Sequence, residues 1–301
     1  MAIFDEIQAS IAGLAESAGS SVTGIGQRWG VGSGIVLGEG RVLTNAHNVR
    51  GNQVTVTFAD GRTAEGTVAG HDFDGDLAVI ETDTGQAVAL PWATTAPALG
   101  MPVFALANPG GRGLRVTFGT VSGIDRSFRG PRGLRITGSL EHTAPLLPGS
   151  SGGPVVNAAG QLHGNNPTRL GEGYYLAIPA DGALRGRIEA LGRGESATPP
   201  RLGVAIAPGY VARRLRRAVG LPEVEGLLIR EVTDPSPASR AGLAQGDLIV
   251  AVAGQPVRTT DDLFDALPAA GGTVELSIVR GANERAVQVV LGENGEQASE
   301  S

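Results

Sequence analysis

The first stretch of the chain carries apolar residues at the spacing of one helix face. They are separated by four, four and three positions and are Ile3, Ile7, Ile11 and Leu14. Acidic residues lie among the other positions, so the pattern predicts a short amphipathic helical segment within residues 1–20. We expect this helix to pack on its own domain, and contact with another subunit is the sharper interpretation.

From residue 31 the apolar positions form short runs, each bounded by turn residues. Two runs flank Gly38-Glu39-Gly40 and predict a hairpin, while Val54 and Val56 alternate with threonines as in a half-buried strand. Short strands with regular punctuation are typical of an antiparallel barrel or sandwich. The strands expected before residue 180 are 34–37, 41–44, 54–58, 77–80, 103–106, 114–121, 134–137, 155–156 and 174–178.

The glycine- and proline-rich residues 192–200 divide the chain. A helix pattern precedes them at 181–191. From residue 201 the pattern predicts strand, helix, strand, turn, strand, helix and two strands. The predicted divisions are an N-terminal helical segment at 1–20, a first domain at 21–191, a linker at 192–200, a second domain at 201–292 and a polar tail at 293–301.

The amino-acid composition excludes several kinds of site chemistry and says less about the fold. The 301 residues include 47 glycines and only 4% aromatic residues, which favours turns and short strands over a helical bundle. There is no cysteine, and all 24 basic residues are arginines, which excludes disulfides, thiol nucleophiles, cysteine-ligated zinc and a Ser–Lys dyad. The net charge of −6 argues against a nucleic-acid partner, and we expect the arginine run at 213–217 to form a solvated helix face.

No apolar run is long enough for a secretion signal or a membrane-spanning helix. We therefore expect a soluble cytoplasmic protein, although a cell-envelope protein whose signal had been removed would show the same pattern. Of the four histidines, three are connected by no metal-ligand spacing: His71, His142 and His163. We expect these three to be structural or solvated, and the protein to need neither metal nor cofactor.

Residues 145–156 form a loop of glycines and prolines around Ser151. Glycine permits a sharp bend and close backbone approach, so such a loop can direct several N–H groups at one point. Beside a serine hydroxyl these groups make an oxyanion hole, here from Gly149 and Ser151. An ordinary glycine-rich turn is the alternative. The Gly-x-Ser-x-Gly motif at 149–153 also fits a hydrolase nucleophile elbow, but only His163 follows it, and glycines and a proline replace the required helix.

Two residues earlier in the chain suit nucleophilic catalysis by such a serine. His47 ends a predicted strand, and Asp76 leads directly into the apolar run 77–80. A serine hydroxyl is a weak nucleophile near neutral pH, whereas imidazole, with a pKa of about 6.5, can accept its proton and later protonate a leaving amine. A carboxylate on the other ring nitrogen holds the tautomer and stabilises the imidazolium. Asp72 and Asp74 are the alternative acids.

Three motifs resemble those of the HtrA (Deg) family of chymotrypsin-like serine proteases. They are Thr-Asn-Ala-His at 44–47, Asp-Leu-Ala-Val at 76–79 and Pro-Gly-Ser-Ser-Gly-Gly-Pro at 148–154. The resemblance extends over nearly the whole chain. It implies a mainly β protein, in which a chymotrypsin-like double β-barrel is followed by an α+β PDZ domain.

The same resemblance implies a function. His47 would be the general base, Asp76 its orienting acid and Ser151 the nucleophile of a serine endopeptidase. The implied substrates are unfolded or misfolded proteins, as in protein quality control, and the implied assembly is a homotrimer.

The chain departs from the family pattern near the specificity pocket. Ser150 stands where the family usually has asparagine, His142-Thr143-Ala144 replaces Thr-Asp-Ala, and Gly164-Asn165-Asn166 replaces Gly-Ile-Asn. The base of the S1 pocket lies shortly before the nucleophile in such folds, here at Pro145 and Leu146. Because neither residue is acidic, we expect cleavage after small or medium apolar residues. The amide of Asn165 in the pocket wall would also admit serine or threonine.

The second domain resembles a PDZ domain. Arg-Leu-Gly-Val at 201–204 resembles its carboxylate-binding loop, and the helix predicted at 260–267 would line its groove. In such domains backbone N–H groups capture a terminal carboxylate while the peptide adds a strand to the sheet edge. The residues implied to bind the C-terminal peptides of substrates or regulators are Leu202, Gly203, Val204 and Ile206.

Three functions stay open at this point. The first is an endopeptidase, the second a chaperone-like or peptide-binding scaffold that cleaves little, and the third an esterase or lipase. The intact His, Asp and Ser favour the first. Casein turnover by the wild type and by Ser151→Ala separates the first two functions, and faster ester than protein hydrolysis would indicate the third.

Overall fold

The computed structural model describes residues 2–26, 31–38, 40–129, 135–169, 174–195, 202–207, 209–267 and 272–291. The chain divides into two units, residues 1–197 and 198–301. The predicted tail at 293–301 and positions 196–200 of the predicted linker lie outside the described residues. Within the described ranges, no helix has the length and apolar character needed to cross a membrane.

Unit 1 begins with the predicted amphipathic helix. This helix, α1, spans Ala2–Ser17. Leu14, near its end, is 2% exposed and belongs to the main core of the unit. The structure therefore confirms that α1 packs on its own domain, while Phe4 near its start is 73% exposed.

The next twelve strands form two closed barrels of six strands each. The first barrel consists of β1 to β6, which are Val22–Ile25, Gly32–Gly38, Arg41–Thr44, Gln53–Thr57, Thr63–Asp72 and Leu77–Glu81. The second consists of β7 to β12, which are Pro102–Ala107, Arg115–Arg129, Arg135–His142, Pro154–Val156, Leu162–Arg169 and Tyr175–Pro179. The helix α2 follows at Gly182–Gly192, with Asp181 as its N-cap.

The two barrels have the same strand order. It is β1-β2-β3-β6-β5-β4 around the first and β7-β8-β9-β12-β11-β10 around the second. Neighbouring strands pair antiparallel, and the outer strands of each order pair with each other. Closure removes the unpaired edges that an open sheet would expose. The predicted double β-barrel is confirmed.

Alternating side chains give each strand two buried faces. One face fills the barrel, with Val36, Val42 and Ile80 in the first and residues such as Val103 and Val155 in the second. The opposite faces form a core shared by both barrels, α1 and α2, which includes Ile35, Leu43, Val79, Leu106, Leu162, Leu184 and Leu191. This shared core holds the two barrels, and hence the loops between their strands, in one unit.

The sequence pattern predicts none of β1, β5 and β11. The ten residues of β5 contain one large aliphatic side chain, that of Val68. The strand nevertheless pairs with β4 on one side and β6 on the other. Its hydrogen bonds and neighbours are supplied by barrel closure, which local composition does not signal.

Unit 2 is a six-stranded sheet with three helices in its described part. The sheet order is β13-β14-β15-β17-β18, and β16 pairs with β15. The predicted element order is confirmed, except that a short helix follows the predicted turn and β16 is additional. The elements are β13 Val204–Ala207, α3 Gly209–Ala218, β14 Leu227–Val232, α4 Pro237–Arg240, β15 Leu248–Val252, β16 Gln255–Pro256, α5 Thr260–Ala266, β17 Gly272–Arg280 and β18 Asn283–Leu291.

The arginine run on α3 is not uniformly solvated. Arg216 is 3% exposed, and its guanidinium donates to the carbonyl oxygens of Pro222 at 2.9 Å and Gly281 at 3.0 Å. The guanidinium of Arg217 donates from Nε to a carboxylate oxygen of Glu223 at 2.7 Å. The prediction of a solvated face is therefore wrong for Arg216, because backbone carbonyls of the folded unit take the place of water around its charge.

Candidate active site

His47 lies where the third strand of the first barrel ends. β3 ends at Thr44, and one turn of 3₁₀ helix at Ala46–Asn48 follows. The side chain of Asn45 is buried, and its Nδ2 donates to the carbonyl oxygen of Asp76 at 2.7 Å. This bond fastens the turn to the β5–β6 connection, while the His47 side chain remains 33% exposed.

Asp76 stands opposite that histidine in a left-handed backbone conformation, with φ at 54°. Its carboxylate is fully buried, and Oδ1 and Oδ2 lie 2.9 Å and 2.8 Å from Nδ1 of His47. Oδ1 also accepts the backbone N–H of His47 at 3.2 Å. A carboxylate only accepts, so Nδ1 carries the hydrogen and Nε2 is left to receive a proton.

The rival acid Asp72 is occupied elsewhere. Its Oδ1 accepts the N–H groups of Asp74 at 3.1 Å and Gly75 at 2.8 Å, and its Oδ2 accepts from the guanidinium of Arg187 at 2.5 Å. A Cβ at Gly75 would overlap that guanidinium. Asp72 therefore clamps the turn against α2, and Asp76 is the acid that contacts His47.

Ser151 lies in the connection between β9 and β10. Its carbonyl oxygen accepts the N–H of Ser33 at 2.8 Å and Nδ2 of Asn48 at 2.9 Å. Asn48 directly follows His47 in the chain. These bonds attach the Ser151 loop to the segment that carries His47.

The backbone around Ser151 offers free donors. Gly149 has a φ of 86° and Gly152 a φ of 88°, and a Cβ at Gly152 would overlap the carbonyl oxygen of Ser33. Among the hydrogen bonds of the described residues, none uses the N–H of Gly149 or of Ser151. Two such donors beside a serine hydroxyl are what an oxyanion hole requires.

An asparagine of β11 supports the loop from behind. Asn165 is fully buried, and its Nδ2 donates to the carbonyl oxygen of Gly152 at 3.0 Å. Its Oδ1 accepts from Nδ2 of Asn45 at 3.0 Å. Both ends of the Asn165 amide are therefore engaged inside the unit, and its part in the S1 wall stays a prediction.

The other two residues predicted for S1 line one small cleft, beside Thr117, Leu147 and Ser150. Pro145 is exposed, and Leu146 is 6% exposed and packs with Ala105 and Tyr175. Asn165 does not line this cleft, and neither does any acidic residue in the described part of the chain.

Two histidines on strands of the second barrel, His142 and His163, are buried. His142 is fully buried, and its Nε2 lies 2.9 Å from Oδ1 of Asn166, so this nitrogen carries the hydrogen. Burial lowers the pKa of His142 against the smaller opposing effect of that bond, and burial also lowers the pKa of His163. Both are neutral structural residues at neutral pH, as expected. No group of His, Asp and Glu side chains in the described ranges is arranged to hold a metal ion.

In unit 2 the predicted peptide-binding residues lie at a sheet edge. β13 pairs with β14 and, within the described sheet, leaves its other edge unpaired. Leu202 is buried, and Gly203 has a left-handed φ of 77°. Val204 and Ile206 pack in one cluster with Leu263 of α5. An unpaired edge beside a helix is the geometry to which an extended peptide adds as a strand.

Two stretches of the chain match known protein families. Residues 32–164 match the trypsin-like peptidase domain. Residues 228–280 match the PDZ domain. The first match contains His47, Asp76 and Ser151, and the second lies within unit 2.

Two curated proteins and a solved structure are similar to this chain over most of its length. It is 34% identical over 284 residues to a DegP-like periplasmic serine endoprotease of Halomonas elongata, covering 89% of this chain and 57% of that protein. It is 36% identical over 270 residues to HhoA of Synechocystis sp., named a serine protease, covering 84% and 68%. The crystal structure of a serine endoprotease from Yersinia pestis superposes with a TM-score of 0.68 at 27% identity, covering 95% of this chain and 98% of that one. The chain thus spans 57% to 68% of the lengths of these two curated relatives.

Proposed function

The chain belongs to the HtrA family of serine proteases, and from that premise we propose that it is a serine endopeptidase with Ser151 as nucleophile. One observation carries the proposal. The buried carboxylate of Asp76 lies 2.8 Å and 2.9 Å from Nδ1 of His47, which leaves Nε2 to accept a proton, and the next residue, Asn48, is bonded to the carbonyl oxygen of Ser151. A peptide-binding scaffold without activity would have no use for this arrangement.

In the proposed reaction the Ser151 hydroxyl attacks the scissile carbonyl carbon while its proton passes to Nε2 of His47. The N–H groups of Gly149 and Ser151 bind the oxygen on which negative charge develops. The C–N bond then breaks, and His47 returns the proton to the leaving amine, which leaves an ester on Ser151. Water attacks this ester with His47 again as base, which frees the acid product and restores the serine.

A serine-directed fluorophosphonate probe tests the nucleophile. The wild type should be labelled and should degrade casein, whereas Ser151→Ala and His47→Ala should do neither. Labelling without casein turnover would support the chaperone-like scaffold, and faster hydrolysis of simple esters than of casein would support the esterase. Persistent labelling of Ser151→Ala would contradict the assignment.

Unfolded polypeptides cut after small or medium apolar residues are the proposed substrates. The support is the cleft at Pro145 and Leu146, which no acidic side chain lines among the described residues. An arginine or lysine bound there would be buried without a partner, at a cost of several kcal/mol. Mass-spectrometric mapping of casein fragments tests this, and a majority of cuts after basic residues would contradict it.

Unit 2 is proposed to bind the free C-terminus of substrate or regulatory peptides at 202–206. Support comes from the unpaired edge of β13 and the left-handed Gly203 beside it. The full-length Ser151→Ala variant should bind an apolar peptide with a free carboxylate and should not bind its C-terminal amide. Equal affinities in calorimetry would contradict this site.

A homotrimer is the proposed assembly, with the start of α1 as a candidate contact. Phe4 is 73% exposed there and is a large apolar side chain that a second subunit would cover. Sedimentation should give three times the chain mass, and Phe4→Glu should shift the protein toward the monomer. A wild type that is monomeric at micromolar concentration would contradict the proposal.

A further inference from the structure

Ser33, on β2 of the first barrel, is bonded to both barrels at once. Its Oγ donates to the carbonyl oxygen of Gly149 at 2.8 Å and accepts the N–H of Asn108 at 3.0 Å. Its own N–H donates to the carbonyl oxygen of Ser151 at 2.8 Å. Its carbonyl oxygen accepts from Oγ1 of Thr44 at 2.7 Å. The residue is fully buried, so no water competes for these bonds.

Two of these bonds are made to the same residues whose N–H groups are the proposed oxyanion donors. The carbonyl groups of Gly149 and Ser151 are both bonded to Ser33, while the N–H groups of the same two residues have no acceptor among the described residues. Gly149 has a left-handed φ of 86°, and glycine rotates more freely than any other residue. Rotation of its carbonyl would break the bond to the Ser33 hydroxyl. This hydroxyl therefore restrains the most mobile residue of the hole.

We propose that Ser33 is a positioning residue for the oxyanion hole: its hydroxyl holds the Gly149 carbonyl and so restrains the ψ torsion and the Cα of the glycine from which the N–H projects. Ser33 touches neither the scissile bond nor His47 in this role. It acts across the barrel interface, from β2 of the first barrel to the β9–β10 connection of the second. The inference rests on the proposed function, since the hole matters only when Ser151 attacks a carbonyl.

Loss of the Ser33 restraint should weaken stabilisation of the transition state more than binding of the substrate. The reason is that negative charge develops on the carbonyl oxygen only during attack. Ser33→Ala should therefore lower kcat by about 10- to 100-fold, less than the 10²- to 10³-fold typical of losing a donor outright. KM should stay within about 3-fold, as expected when only the transition state loses stabilisation. The affinity for a peptide boronate, whose tetrahedral oxygen occupies the hole, should fall by the same factor as kcat.

The chain provides a matched control for the loss of a buried hydroxyl. Thr23 lies on β1 and pairs with Gly34, the neighbour of Ser33. Its Oγ1 is fully buried and, in the described part of the chain, has no hydrogen-bond partner. Thr23→Val keeps the shape and removes a hydroxyl that holds nothing. Its kcat, KM and boronate affinity should equal those of the wild type.

A second pair of variants separates the effect of the Ser33 hydroxyl from the effect of side-chain volume on packing. Ser33→Thr and Ser33→Val add nearly the same volume to the same buried position, and only threonine keeps a hydroxyl. Circular dichroism and melting temperature report the fold of each variant. We expect Ser33→Thr to have a kcat at least about 10-fold above that of Ser33→Val at similar KM.

The experiment uses the full-length chain and a fluorogenic peptide that it cleaves. The inference is overturned if folded Ser33→Ala keeps kcat within 3-fold of the wild type, or if Ser33→Thr and Ser33→Val lose kcat equally. Failure of the proposed function would look different: the wild type itself would not turn over peptide, or Ser151→Ala would remain active.

Discussion

The two barrels of unit 1 place their reactive residues on corresponding connections but hold them by different means. His47 lies between β3 and β4, and Ser151 lies between β9 and β10. Because the barrels share one strand order, both connections join the third strand of a barrel to its fourth. The same position in a repeated architecture thus carries His47, the proposed base, in one copy and Ser151, the proposed nucleophile, in the other.

Charge holds the connections of the first barrel. The buried Asp76 carboxylate contacts His47, and Asp72 pairs with the guanidinium of Arg187 to clamp the turn before it. Neutral groups hold the Ser151 loop of the second barrel: the Ser33 hydroxyl and the Asn48 amide, both from the first barrel, and the Asn165 amide from β11. A base that becomes an imidazolium needs a fixed anion, whereas an anion near the oxyanion hole would oppose the charge that forms there. The difference follows from the charge that each residue must stabilise.

The largest effects should come from removing either of the two proposed reactive residues, alone or together. His47→Ala and Ser151→Ala should each lower kcat by about 10⁶-fold, and the double variant should be no slower than either, because the two act as a unit. Single-turnover assays with purified variants measure this. Additive losses would mean that His47 and Ser151 contribute to catalysis independently of each other.

Removing the charge of the first barrel's acid should have the next largest effect. Asp76→Asn should keep the fold and lower kcat by about 10⁴-fold, since an amide no longer holds the required histidine tautomer. Asp83→Asn, on an exposed turn of the same barrel, is the control and should keep wild-type activity. More than a tenth of wild-type kcat in Asp76→Asn would show that the carboxylate is not the orienting acid.

The free energy of unfolding and its dependence on salt should distinguish the Arg187–Asp72 ion pair from the neutral hydrogen bonds of Asn165. Arg187→Met and Asn165→Ala should each lower the free energy of unfolding by about 1–3 kcal/mol, because each leaves a buried polar group without its partner. At 1 M salt the Debye length falls to about 3 Å, so the loss in Arg187→Met should shrink while that in Asn165→Ala should not. Denaturant titration at low and high salt measures both.

Arg185→Met is the control for the clamp, since Arg185 lies on the same helix and stacks over Trp92 at 4.5 Å. It should lose no more than about 1 kcal/mol, the usual size of an exposed cation–π contact. Equal losses of unfolding free energy in Arg185→Met and Arg187→Met would show that the Asp72–Arg187 pair stabilises the fold no more than an exposed cation–π contact does.

The smallest effect concerns pH and the second barrel. Burial lowers the pKa of His142 and of His163, so the unfolded chain takes up protons near pH 6.5 that the folded chain does not. Stability is therefore full above that pH and falls as the pH decreases. Between pH 7 and pH 6 the loss is at most about 0.7 kcal/mol for each histidine. His142→Gln should reduce this pH dependence, and an unchanged dependence would show that His142 is protonated in the folded state.

Much of this protein's structure can be predicted from its sequence, because the residue patterns that indicate helices, strands and turns are local. The helix period predicts α1, and alternating or short apolar runs predict strands such as β3 and β6. The glycines at 149 and 152 indicate a bent loop, and both are left-handed. β1, β5 and β11 are not predicted, because their stability comes from the neighbours that barrel closure provides and not from their own composition.

Most of the helices and strands, the order of His47, Asp76 and Ser151 and the need for a bent loop follow from the sequence alone, since each depends on residues close together in the chain. Tertiary structure decided which acid contacts His47, that the Ser33 hydroxyl reaches the Gly149 carbonyl, and that Arg216 is buried. These contacts join distant parts of the chain: Ser33 and Gly149 are 116 positions apart, and Arg187 and Asp72 are 115 apart. Hydrogen bonds of such span form only when packed barrels bring their loops within 3 Å, and no local pattern encodes that distance.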